Sequence, residues 1–321
     1  MGDLARSDLA LPELALPDLA SSNPDTRPVT PLAVLLVLVS AAAHAYWNYL
    51  LKRAGGTRAF IALSKFAEAA VFLPAAAWLA WRAPAGTLAA AAPYIAVGTF
   101  FVLAGYVTLG AAYRVGELSF IYPIARGGAL LVLPPLGWLA FGERVGPLGW
   151  AAVALIVAGV LTMQLPALRR DAWRELLVHL RGPATLLALL MAFILGTSTI
   201  WDKHAVRAVE LWAYFYGYTL CAGVGYLAWV TRAEGAAAVG AEWRAHRGAA
   251  VAVGVLNTVS YGLALLALRT GGSTYVVGLR QLSIAVGVWL GARLLGETVA
   301  APRRVGVALL LAGCALMALG R

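Results

Sequence analysis

The stretch AHAYWNYLLKRAGG, residues 43–56, ends an otherwise aliphatic segment with aromatic, amide and basic side chains. A helix surrounded by lipid gains nothing from such residues, because hydrocarbon offers them no hydrogen-bonding partners. A second stretch, STIWDKHAVRAVE at residues 198–210, again places a tryptophan before a short polar residue at the end of an apolar segment. The two stretches predict a repeated unit that carries functional polar residues inside a membrane.

The composition of the whole chain is that of a membrane protein. Of its 321 residues, 61% are hydrophobic and 12% are charged, whereas a soluble domain has about 25% charged residues. The net charge of +10 is interpreted as basic loops at a membrane and not as a nucleic-acid-binding surface. The two cysteines lie inside apolar segments, and their spacing indicates neither a disulfide framework nor a metal site. No cofactor is predicted.

Ten apolar spans predict an all-α integral membrane protein, because only a helix satisfies the backbone of a single segment in lipid. Residues 1–30 are acidic and punctuated by proline, and are predicted to be a disordered tail. Residues 166–183 form a basic linker, either a short interfacial helix or a loop. The spans cover residues 31–51, 59–81, 90–112, 119–141, 147–165, 184–202, 211–231, 248–268, 273–295 and 304–320.

A shift of the sequence by 154 residues reveals an internal repeat. Residues 31–165 and 184–321 are therefore predicted to be two five-helix repeats. Because five is an odd number, the second copy is inverted in the membrane, a construction that recurs in secondary transporters. The matched pairs include Trp47 and Trp201, Arg126 and Arg280, Gly142 and Gly296, and Glu143 and Glu297.

The motifs HAYWN, YPIARG and GERVGPLGW, followed in the second half by IWDK, GLRQ and GETVAAPRRVG, resemble those of the EamA family of the drug/metabolite transporter superfamily. The resemblance implies two EamA repeats of five helices around a central cavity. It also implies export or exchange of amino acids, related metabolites or drugs, in some members by proton antiport. One departure is that Lys65 and Glu68 have no counterparts in the second half.

Polar and aromatic residues within the spans are the candidate substrate-binding residues. An arginine at the centre of a span costs about 2.5–3.5 kcal/mol and usually faces the interior of the bundle. Such an arginine either serves function or holds two helices together locally. The candidates are His44, Trp47, Asn48, Tyr106, Tyr122, Arg126, Trp201, Asp202, Asn257, Tyr261, Arg280 and Gln281.

Four of these residues are predicted to form two gates, one at each face of the membrane. On side A, the face that bears the termini, Asp202 and Arg280 are expected to form a salt bridge. On side B, Arg126 meets only the neutral Asn48. A charge-assisted hydrogen bond is roughly twice as strong as a neutral one, so side A is expected to be the harder face to open. Glu143 and Glu297 are interpreted as anchors at helix ends near the interface.

Three residues within the spans are candidates for proton coupling: His44, Glu68 and Asp202. Each exchanges a proton near neutral pH if its surroundings favour the exchange. For Glu68 an alternative is an internal ion pair with Lys65, three residues earlier on the same helix.

The predicted function is a secondary transporter of a small amphipathic or anionic solute in the inner membrane, as a monomer or homodimer. Two alternatives are a membrane-embedded enzyme and a sensor or scaffold that moves nothing. The four histidines match no metal-ligand spacing, which disfavours a metalloenzyme. The loop charges favour side B in the cytoplasm. The resemblance implies cytoplasmic termini instead, and we favour this orientation because several of the side B charges belong to the repeated motif.

Overall fold

The computed structural model describes residues 30–115 and 118–319, without the side chains of residues 109, 110, 113, 114, 118–120, 122, 170 and 179. Most of the predicted tail, and the side chain of the candidate residue Tyr122, therefore lie outside the described residues. The described part of the chain forms helices and no strand. The helices are α1 (Pro31–Arg53), α2 (Arg58–Arg82), α3 (Thr87–Val115), α4 (Leu118–Phe141), α5 (Pro147–Thr162), α6 (Arg170–His179), α7 (Pro183–Ala208), α8 (Leu211–Glu234), α9 (Ala236–Thr270), α10 (Ser273–Arg280), α11 (Leu282–Leu294) and α12 (Ala301–Leu319).

The prediction of an all-α membrane protein is confirmed. Eight segments of the described chain are long and apolar enough to cross a bilayer, and one of them comprises α10 and α11 together. Every predicted span coincides with one helix or with this pair. The apolar α5 has only 16 residues, and α8, rich in tyrosine and glycine, is not among the eight. The number of ten crossings therefore stays a prediction.

Three elements differ from the predicted spans. The basic linker contains α6, which matches the interfacial-helix alternative in form. α9 begins at Ala236, 12 residues before the predicted span, and changes direction at His246, where φ is −129° and ψ is 15°. The predicted span at 273–295 coincides with one segment of membrane-spanning length, Ser273–Leu294, in which the helical hydrogen bonding is interrupted at Gln281, where φ is −63° and ψ is −17°.

The helices pack in pairs of the kind that two related copies would produce. The contacts of α5 with α12 and of α2 with α8 join equivalent helices of the two halves. The contact of α4 with α7 has its counterpart in α1 with α10 and α11, and that of α1 with α9 in α3 with α7. This pattern supports the predicted repeat at residues 31–165 and 184–321, whose boundaries stay a prediction.

Glycine allows the closest of these contacts. A Cβ atom on Gly159 of α5 would lie 2.8 Å from the backbone nitrogen of Leu310 in α12, and one on Gly313 would lie 2.9 Å from the carbonyl oxygen of Ala152. Both distances are shorter than real Cβ contacts, so a side chain at either position would force the helices apart. α5 and α12 are thus held at backbone distance by small residues, as is usual in membranes.

The ends of α4 and α11 adopt the same turn. Gly142 and Gly296 have φ values of 69° and 67°, a conformation that favours glycine. The next residue in each half, Glu143 or Glu297, donates its backbone N–H to the carbonyl oxygen of Gly137 or Gly291 at 3.2 Å. These matching turns direct the two glutamates towards the opposite half of the protein.

Candidate functional site

Arg126 of α4 and Arg280 of α10 lie near each other inside the helix bundle. Arg126 is eight residues into α4 and Arg280 seven residues into α10, which places each about 10–12 Å along its helix in a hydrocarbon core about 30 Å thick. At the break after α10, Nε2 of Gln281 donates a hydrogen bond to the carbonyl oxygen of Arg126 at 3.4 Å. The charges of both arginines act on buried His44 of α1.

This arrangement corrects the prediction of two separate clusters at opposite faces. The two halves instead each contribute one arginine to a single central site. The physical reason is that α4 and the α10–α11 segment approach each other at the break, so residues that enter from opposite faces meet halfway.

Asp202 of α7 is the acidic member of this site and is 5% exposed. Its Oδ1 accepts a hydrogen bond from the Tyr214 hydroxyl at 2.5 Å, and its Oδ2 accepts one from the Tyr261 hydroxyl at 2.6 Å. The Arg280 guanidinium carbon lies 5.4 Å from the centre of the Tyr261 ring. Asp202 and Arg280 therefore both contact Tyr261, and the salt bridge between them stays a prediction.

Aromatic residues of α8 form one wall of the site, and the sequence interpretation missed them. The ring centroids of Tyr214 and Tyr218 are 5.0 Å apart, and Phe215 lies 5.9 Å from Tyr261. Gly98 of α3 admits Tyr214, because a Cβ atom there would lie 2.8 Å from the tyrosine oxygen. The available signal was the i, i+4 tyrosine spacing within a span of unusually low hydropathy.

Asn48 of the predicted side B gate and the candidate residue Trp47 both contact His44 on their own helix. Asn48 donates its Nδ2 hydrogen to the carbonyl oxygen of His44, one turn earlier, at 2.7 Å. This hydrogen bond occupies Nδ2 and not Oδ1, the atom that would accept from an arginine, so the gate pairing of Asn48 with Arg126 stays a prediction. Trp47 packs edge-on against His44 with ring centroids 4.9 Å apart. Its indole nitrogen is buried without a hydrogen-bonding partner among the described residues.

Trp201 points away from Asp202, its neighbour in sequence. Its indole nitrogen donates to the carbonyl oxygen of Tyr94 in α3 at 3.2 Å, and the two rings lie 5.6 Å apart. With Phe101 and Phe141 it lines an apolar crevice between α3, α4 and α7. The structure therefore does not bring Trp201 into the central site, because adjacent residues project about 100° apart around a helix.

A second buried polar cluster surrounds Glu68 of α2, which is 2% exposed. Lys65 donates to Oε2 of Glu68 at 2.8 Å, and this is the ion pair that their spacing permits. Asn257 of α9 donates to both carboxylate oxygens at 3.0 and 3.1 Å, and the Thr258 hydroxyl donates to Oε1 at 3.1 Å. Asn257 therefore belongs to the Glu68 cluster and not to the group around Asp202.

The Glu68 cluster adjoins the central site. Tyr106 lies beside Lys65 and stacks on Tyr226 with ring centroids 4.7 Å apart. Asn257 of the Glu68 cluster precedes Tyr261 of the central site by one turn of α9, and the Tyr218 ring lies 6.4 Å from that of Tyr261. In the described part of the chain, no three His, Cys, Asp or Glu side chains are close enough to hold a metal ion.

Two ion pairs join the halves at the ends of the bundle. Glu143 binds Lys203 of α7 and also accepts hydrogen bonds from the backbone N–H of Ser273, at 2.9 Å, and from its hydroxyl, at 2.7 Å. Lys203 is fully buried. At the other end, Lys52 binds Glu297, and these side chains are 62% and 32% exposed. The Glu143–Lys203 pair is therefore shielded from solvent, whereas the Lys52–Glu297 pair is accessible to it.

Residues 182–319 match the model of the EamA-like transporter family. Over 64 residues the chain is 33% identical to the spermidine export protein MdtI of Salmonella arizonae, a match that covers 20% of this chain and 59% of the relative. The same protein of Salmonella paratyphi B is 33% identical over 63 residues, with 20% and 58% covered. The match thus spans less than two thirds of the length of each of these relatives.

The fold has a counterpart among solved structures. One protein crystal structure superposes with a TM-score of 0.69 and 17% sequence identity, covering 89% of this chain and 96% of the other. At that identity the likeness concerns the fold, and it extends over both halves of the chain.

Proposed function

We propose that this chain, whose second half is an EamA-like transporter domain, is a secondary transporter of the inner membrane that exports or exchanges a small amphipathic solute with an anionic group. The observation that carries the proposal is the pair of arginines, one from each half, whose charges act on Tyr261 together with that of buried Asp202. Binding sites at the interface of inverted repeats are typical of secondary transporters.

The charges of the central site favour an anionic or zwitterionic solute. The charges of Arg126, Arg280 and Asp202 act together on Tyr261 in the central site, whereas Lys65 and Glu68 form an ion pair of their own. Arginine suits a carboxylate because its guanidinium presents several donors in a fixed plane. Asp202 would accept an amine, and the tyrosines of α8 would cover an apolar portion. A polycation such as the spermidine named for the relatives would meet two like charges here.

The burial of the site supports alternating access. His44, Asp202 and Arg280 are each less than 10% exposed in this conformation, so a solute reaches them only when helices separate. The break at Gln281 and the internal prolines of α4 give positions at which helices bend. The buried Glu143–Lys203 pair closes side A and the exposed Lys52–Glu297 pair closes side B. Side A is therefore expected to be the harder face to open, as the sequence predicted, but because of the buried Glu143–Lys203 pair and not because of Asp202 and Arg280.

The test is solute flux in vesicles reconstituted with the purified protein. We expect loaded vesicles to take up labelled zwitterionic or anionic amino acids by exchange, and to take up spermidine more slowly, because the two arginines repel a polycation. Empty vesicles and vesicles with heat-denatured protein are the controls. Transport of spermidine alone would show that the solute class is wrong, and a lack of flux for every solute would contradict a transporter.

Proton coupling gives a second expected result. We expect an imposed pH gradient to drive flux, and one of the substitutions H44Q, E68Q and D202N to abolish that dependence while solute exchange survives. Each removes a group that can exchange protons inside the bundle, and Asp202→Asn keeps an oxygen that can accept from a tyrosine. If solute flux through the unmodified protein does not depend on the pH gradient, proton antiport is wrong and the protein is a facilitated exchanger.

A further inference from the structure

The linker helix α6 has an apolar face that the protein covers only in part. Ala172 and Leu176 are buried, and they pack with Leu165 into a small core at the end of α5. Trp173 and Leu177, which directly follow these two buried residues in the sequence, are 42% and 58% exposed. The apolar face is therefore wider than the surface on which it packs.

Arginines border the exposed apolar residues of α6, and the exposed Asp171 lies in its first turn. Arg174 and Arg181 are exposed, whereas Arg169 pairs with Glu175. At 100° per residue, Arg174 lies beyond Leu177 on the side away from the buried stripe, and Arg181 follows His179, the last residue of α6, by two positions. Because α6 connects α5 to α7, it is held where spans leave the membrane, at the level of lipid headgroups.

The same side of the protein carries a second surface helix. The part of α9 before the kink at His246 precedes the membrane-spanning part. Its Arg244 and Arg247 are exposed, while Trp243 packs against α2. With α6, it makes side B a basic surface next to the bilayer.

We propose that α6 is a membrane-surface anchor that binds anionic phospholipids. Trp173 and Leu177 enter the acyl-chain boundary, where tryptophan is enriched in membrane proteins, and Arg174 and Arg181 contact lipid phosphates. An exposed apolar stripe bordered by arginines is the pattern of helices that lie in the interface, and their binding combines buried apolar area with attraction to anionic headgroups. A lipid surface complements both the exposed apolar residues and the arginines beside them, because it offers acyl chains next to phosphate groups.

The test compares the melting temperature of the full chain in detergent with added phosphatidylglycerol or phosphatidylcholine. We expect phosphatidylglycerol to raise the melting temperature by at least about 2 °C more than phosphatidylcholine, a shift of the size that one surface contact produces. The double substitution R174Q and R181Q should remove most of this difference. The matched control, R82Q and R144Q, changes two exposed arginines at the other face and should retain it.

Salt gives a second measurement that needs no variant. The Debye length falls to about 3 Å in 1 M salt, so the advantage of phosphatidylglycerol should largely disappear there. Equal stabilisation by the two lipids, or an advantage that survives both high salt and the double substitution, would overturn the proposal. These measurements are independent of transport, so they remain informative whichever solute the protein moves.

Discussion

Replacing Lys203 with methionine should lower the free energy of unfolding by about 3–5 kcal/mol, because it leaves the Glu143 carboxylate buried without its cation. Lys203 is fully buried, binds Glu143 and donates to the carbonyl oxygen of Gly271 at 3.0 Å. Methionine has a similar length and no charge, so the variant removes the ion pair with little change in volume. Unfolding by denaturant in detergent micelles would measure the loss.

The chain provides a matched control in the related pair at the other end. Lys52→Met makes the same chemical change where the side chain is 62% exposed, and exposed ion pairs contribute about 0–1 kcal/mol. The double variant E143Q/K203M should recover part of the stability, because replacing both buried charges is far less costly than removing one. Equal losses for Lys203→Met and Lys52→Met would show that burial does not distinguish the two pairs.

Replacing Arg280 with glutamine should reduce solute flux at least about tenfold while leaving the protein folded. A hydrogen bond to a charged group is worth about 1.5–3 kcal/mol, which corresponds to a factor of roughly 10 or more in affinity. Arg280 is 9% exposed and lies over Tyr261, which binds Asp202. The variant should therefore bind the solute more weakly, and this loss should appear chiefly as a higher KM for transport.

Arg293→Gln is the matched control, since Arg293 belongs to the same predicted span and is exposed. We expect its flux to remain near that of the unmodified protein, and Arg280→Lys to restore only part of the activity, because lysine lacks the planar donor geometry. Melting temperatures measured in parallel separate binding from folding. A folded Arg280→Gln protein with unchanged KM and flux would exclude this arginine from the binding site.

Much of the fold could be predicted because its signals are local. Apolar runs of span length require helices in lipid, and every predicted span coincides with a helix or a broken helix. The polar residues within those runs also stood out, and the central site contains His44, Asp202, Tyr261 and both arginines. Such residues are costly in lipid, so their presence alone indicates the protein interior.

The grouping of those residues could not be predicted. Asn48 and Asp202 occupy equivalent positions, yet the first binds the backbone of its own helix and the second binds two tyrosines. Trp201 was predicted with Asp202 but faces α3. Tyr214 and Tyr218 were missed, because in a chain rich in aromatic residues their role depends on the facing helix.

The sequence by itself determined that this is a helical membrane protein and which polar residues its helices carry, because hydropathy acts on each segment separately. Only the tertiary structure decided that Arg126 and Arg280 share one site, that Asp202 and Arg280 both contact Tyr261, and that Lys203 is buried. Those outcomes depend on the rotation of each helix about its axis and on the depth at which helices cross. Both are set by packing between segments far apart in the chain, such as α4 against α7 and α1 against α9.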